Sequence, residues 1–123
     1  MKPIRIKRIY ASETVYESHG GRDGKDTKCI FIEVVYAGDR PEKIDVCASD
    51  CSESCLEHYG NWGLESFIHV RGEAARKLAD KFTARDAKTL LDRMCGKFRS
   101  CGWEAFDEIG RWLTAKGITY SVS

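Results

Sequence analysis

Thr27-Lys-Cys-Ile-Phe-Ile-Glu-Val-Val-Tyr36 decides how this chain is read. Ile30, Ile32, Val34 and Tyr36 alternate with Cys29, Phe31, Glu33 and Val35. Period-two alternation rich in β-branched residues specifies a strand. Both faces are largely apolar, broken only by Glu33, so the strand is expected inside a sheet rather than at its rim.

Outward from this stretch the chain divides in two. On the N-terminal side, residues 4–17 alternate loosely and predict one long strand with an irregularity near Ala11-Ser12, or two short strands. Residues 19–25 hold Gly20, Gly21 and Asp23-Gly24, a turn-rich hairpin connection. Gly38-Asp39-Arg40-Pro41 predicts a second turn, and residues 42–48 a strand with Ile44, Val46 and Ala48 inward and Lys43, Asp45 and Cys47 outward. Residues 64–70 read as another strand.

After residue 72 the period changes to that of a helix. Ala75, Leu78, Ala79 and Phe82 share one helical face, and Ala87, Leu90, Leu91, Met94, Cys95 and Phe98 share another. Thr83-Ala-Arg-Asp86 resembles a capping box, with Asp replacing the usual Glu or Gln. Trp103, Phe106, Ile109, Gly110 and Leu113 line a third helix, which Lys116-Gly117 ends. Ile118, Tyr120 and Val122 mark a final short strand returning to the sheet edge. The expectation is one α+β domain over residues 1–123. It is a two-layer sandwich with an antiparallel or mixed sheet of 4–5 strands, helices in the C-terminal half and a closing strand.

Composition supports a globular domain. Hydrophobic residues make up 42% and charged residues 32%, with a formal net charge of +1. The charge is unevenly placed. Residues 47–70 hold four acids and no Lys or Arg, whereas residues 71–123 hold eleven bases and seven acids. Such segregation suits self-association or a charged partner. The N-terminus has basic residues but no apolar signal region, which favours the cytoplasm, and no apolar run is long enough to span a bilayer.

Chemistry concentrates in Cys47-Ala-Ser-Asp-Cys51-Ser-Glu-Ser-Cys55, with His58 three residues on. If residues 50–58 are helical, Cys51, Cys55 and His58 share a face, and Cys47 would complete four ligands for zinc. Iron–sulfur spacing fits less well. Six cysteines in a cytoplasmic chain are otherwise read as reduced structural thiols. A thiol enzyme would need one of these cysteines beside His19, His58 or His69, an inventory that most chains of this size contain. No catalytic motif accompanies it, so the chain reads as a binding protein rather than an enzyme.

The leading functional expectation is a small accessory or regulatory protein-binding domain, acting on a protein partner or as a homo-oligomer. Its anchors would be Tyr59 and Trp62 in the aromatic, glycine-rich stretch 58–63, together with Trp112. A weaker alternative is nucleic-acid binding through Arg85, Lys88 and Arg93. They belong to the span 71–99, where nine basic residues face four acidic ones.

Overall fold

The computed structural model describes residues 7–20, 26–51 and 63–123. It is a two-layer α+β sandwich. The sheet is five-stranded and antiparallel, in the order β1-β2-β3-β4-β5. The strands are β1 (Arg8–Gly20), β2 (Asp26–Ala37), β3 (Arg40–Cys51), β4 (Leu64–Arg71) and β5 (Ser121–Val122). Between β4 and β5 come α1 (Glu73–Lys81), α2 (Ala87–Phe98), a 3-10 segment (Arg99–Glu104) and α3 (Ala105–Ala115). No helix among the described residues is long and apolar enough to cross a membrane.

Strands β1 to β4 turn residues of one face toward a single core. Ile30, Ile32, Val34, Ile44 and Val70 are 0% exposed, and they meet Leu78, Leu90, Ile109 and Leu113 from the helices. The apolar stripes that give β2 its period of two and α2 its period of 3.6 therefore face one another. At Gly110, α3 passes the sheet with room for a methyl group. A Cβ there would sit 3.5 Å from the Tyr120 hydroxyl and 3.8 Å from Ile68.

Several local expectations are corrected. The irregularity in β1 falls between Thr14 and Tyr16, not at Ala11-Ser12. Helix α2 begins three residues later than a capping box at Thr83 would give. Asp86 is the N-cap itself, accepting from the Thr89 backbone N–H at 2.8 Å and the Thr89 hydroxyl at 2.9 Å. Those bonds hold the Asp86 carboxyl below its ordinary value. Strand β3 runs on through Cys51, so Asp50 and Cys51 are extended rather than opening a helix. A spacing of four brings residues to one face in a helix and in a strand alike, which is why the cysteine spacing misled.

Candidate functional site

Alternation leaves a second sheet face, on which no helix packs among the described residues. Read across β1 to β5 it consists of rows in register. Tyr10, Val35, Lys43 and Arg71 stand in one, and Ser12, Glu33, Asp45, His69 and Ser121 in the next. Thr14, Phe31, Cys47 and Phe67 follow, then Glu17, Cys29, Ser49 and Glu65. Phe31, Phe67 and Val35 are partly exposed, and Cys47 between the two phenylalanines is buried. The centre is thus apolar and its flanks are charged. Glu17, Glu33, Asp45 and Glu65 outnumber Lys43 and Arg71, so the face is acidic in balance.

One polar network crosses this face. His69 places Nδ1 2.8 Å from Asp45 Oδ1 and Nε2 2.7 Å from the Ser123 hydroxyl. Arg71 donates to the same Asp45 oxygen at 2.6 Å. Phe67 stacks on the His69 ring, with centroids 5.6 Å apart and planes 10° from parallel. Arg71 Nη2, a donor, also stands 3.2 Å from Nδ1 and competes for it; in the tautomer that protonates Nδ1, Nδ1–H donates to Asp45 and Nε2 accepts from Ser123, an order that polarises a serine hydroxyl. Arg71 tempers this. Its charge on Asp45 reduces the negative potential that would stabilise an imidazolium. Sequence reading leaves His69 as a histidine satisfied by some acceptor. The outward alternation of both Asp45 and His69 is the available signal, and the missing knowledge is the strand register.

The zinc expectation on Cys47, Cys51, Cys55 and His58 is overturned. Among the described residues, no group of three or more His, Cys, Asp or Glu side chains is placed to hold a metal ion, and no cysteine cluster of that kind exists. Cys47 and Cys51 lie four residues apart along one extended strand, roughly 13 Å at the usual strand rise. Zinc–sulfur bonds of about 2.3 Å cannot bridge that distance. Burial, with Glu65, Glu33 and Cys29 nearby, also pushes the Cys47 thiol up to about 11, away from the thiolate a metal needs. Cys55 and His58 lie outside the described residues.

Of the expected interaction anchors, Tyr59 and Trp62 also lie outside the described residues. Trp112 is half-buried on the helical layer. It packs against Phe82 at 5.0 Å and edge-on to Phe98 at 6.2 Å, beside a cleft bounded by Lys97, Cys101 and Arg111. The basic residues do not act as a group. Arg93 donates to the carbonyls of Phe82 and Thr83 at 2.6 and 2.8 Å, closing the end of α1. Lys88 pairs with Asp92 at 3.1 Å. Arg85 instead joins Arg40 and Arg76 around a cleft of about 470 Å³ that Asp39 and Asp80 also line.

No protein-family model matches the chain, and no curated protein or solved structure matches it.

Proposed function

We propose that this chain is a small protein-interaction domain whose working surface is the helix-free face of its sheet. The observation that carries the reading is the row Phe31–Cys47–Phe67 standing on that face between Glu17, Glu33 and Glu65. Partly exposed aromatic side chains ringed by polar groups are the usual make-up of an interface centre and rim. The acidic balance selects the partner's chemistry: a basic segment carrying at least one large apolar side chain, steered by charge and held by the aromatic centre. A peptide array of matched basic, neutral and acidic sequences tests this. Basic apolar peptides should be retained, and Phe67→Ser or Glu65→Lys should abolish retention without altering the far-ultraviolet spectrum. Equal retention of all three charge classes would sink the reading.

A second reading has its own observation, the alignment of Asp45, His69 and Ser123. It is hydroxyl activation for acyl transfer, in which Ser123 attacks an ester carbonyl, His69 Nε2 takes the hydroxyl proton, and that proton passes to the alcohol that leaves as the ester C–O bond breaks. A fluorophosphonate probe should label Ser123 in the wild type and fail to label the His69→Ala variant. An unlabelled wild-type Ser123 ends this reading and leaves the first intact.

A further inference from the structure

The sheet has two edges, and they are finished differently. At one, β5 covers the middle of β4, with Phe67 and Ser123 exchanging backbone hydrogen bonds of 2.9 and 3.0 Å. At the other, β1 runs from Arg8 to Gly20 and pairs with β2 alone. Among the described residues, the one group that reaches the outward backbone of β1 is Arg99, which donates to the Thr14 carbonyl at 3.4 Å. The register shift between Thr14 and Tyr16 lies at the same point. Bulges and charged caps are the ordinary means of blocking an edge. Here they guard the strand from Thr14 onward, and among the described residues nothing pairs with the outer edge of residues 8–13. That stretch also carries Ile9 and Tyr10, exposed by 47% and 61%.

We propose that a second copy of this chain pairs antiparallel with this stretch of β1, about a two-fold axis passing through Tyr10. An axis perpendicular to the sheet keeps both helical layers on the same side, so directly opposed residues must belong to the same face. With the axis at Tyr10, the two tyrosines stand opposite each other and Arg8 meets Ser12. Ile9 meets Ala11 on the helical side, and Lys7 meets Glu13, which Arg99 already holds at 3.3 Å. Lys7–Glu13 thus sets opposite charges together and Ile9–Ala11 apolar groups, while Arg8 faces the neutral Ser12 hydroxyl. Moving the axis to Ala11 would set Ile9 against Glu13. Moving it to Ile9 would lose the Lys7–Glu13 pair. The result is a continuous sheet across two copies, with the helix-free faces joined side by side.

Light scattering at about 100 μM, well above a micromolar dissociation constant, reads the outcome directly. The wild type should have twice the chain mass. Tyr10→Asp places like charges on the two-fold axis and should give the single-chain mass with an unchanged far-ultraviolet spectrum. A monomeric wild type, or a folded Tyr10→Asp that stays dimeric, overturns the proposal. If Tyr10→Asp does not fold, Tyr10→Cys decides. Mild oxidation and peptide mapping should find a disulfide joining position 10 of two copies, and a dimer without that link overturns it. Tyr10 stands at the rim of the helix-free face, but the peptide reading rests on Phe31, Phe67 and Glu65, which the edge does not use, so a monomer that still selects basic peptides refutes the dimer alone.

Discussion

His69 ties the closing strand to the sheet through Ser123. Its Nε2 lies 2.7 Å from the Ser123 hydroxyl, while Asp45 fixes the other ring nitrogen at 2.8 Å. Strand β5 is only two residues long, so it depends on such side-chain support. Replacing His69 with Ala should accelerate hydrogen exchange at the Phe67 and Ser123 amides by up to roughly tenfold, the worth of one net hydrogen bond. Exchange at Ile30 and Ile32 should not change. Equal acceleration throughout the sheet would show that His69 supports the whole fold instead.

Asp86 is the start signal of α2. Asp86→Ala should lower the melting temperature by a few degrees, and Asp86→Ser should recover most of the loss because serine also caps. The pH sign follows from the depressed carboxyl value. Its contribution is present above the ordinary value of 3.8 and is lost as pH falls through the folded value. The wild-type and Asp86→Ala melting curves should converge in that acid range.

Alkaline conditions act in the opposite direction. Burial raises the Cys47 thiol from 9.0 to about 11, and burial with a Glu13 hydrogen bond raises Cys95 from 9.0 to about 12. The unfolded chain releases these protons first. Stability is therefore complete below pH 9.0 and declines as pH climbs through the folded values. Urea midpoints should fall over this range, and Cys95→Ala should reduce the slope.

Thiol accessibility gives an independent check. Cys51 is exposed, Cys29 and Cys101 are intermediate, and Cys47 and Cys95 are buried. An alkylating reagent in native buffer, followed by peptide mapping, should modify Cys51 ahead of Cys29 and Cys101. Cys47 and Cys95 should react only on unfolding. Early modification of Cys47 would mean that Phe31 and Phe67 do not shield it.

The fold was legible because its periods are unambiguous. The two-faced apolar run of β2 implied an internal strand, and it lies between β1 and β3. The stripe from Ala87 to Phe98 implied a buried helical face, and all of its apolar members are buried. The site was less legible. Asp45 and His69 come from separate strands and Ser123 follows β5, and only the register of β3 on β4 and the return of β5 bring them together. The cysteine segment failed for a different reason, since its spacing of four satisfies both periods. The 58–63 stretch, apart from Gly63, lies outside the described residues.

The extra residue in β1 acts as a parity switch. Before it, even-numbered positions such as Tyr10, Ser12 and Thr14 stand on the helix-free face; after it, Glu17 and His19 take that place. Tyr16 is thereby turned toward the helices, where its ring lies 6.4 Å from Trp103. Pairing Val15 in simple alternation with Ile30 would send Tyr16 outward and force Glu17 beneath the tryptophan, whereas deleting Val15 would leave Tyr16 opposite Ile30 and remove only the buried valine side chain. Length changes elsewhere in β1 would be tolerated in pairs, as whole pleats. At this position a single residue carries the meaning, because it decides which side of the molecule the rest of the strand addresses.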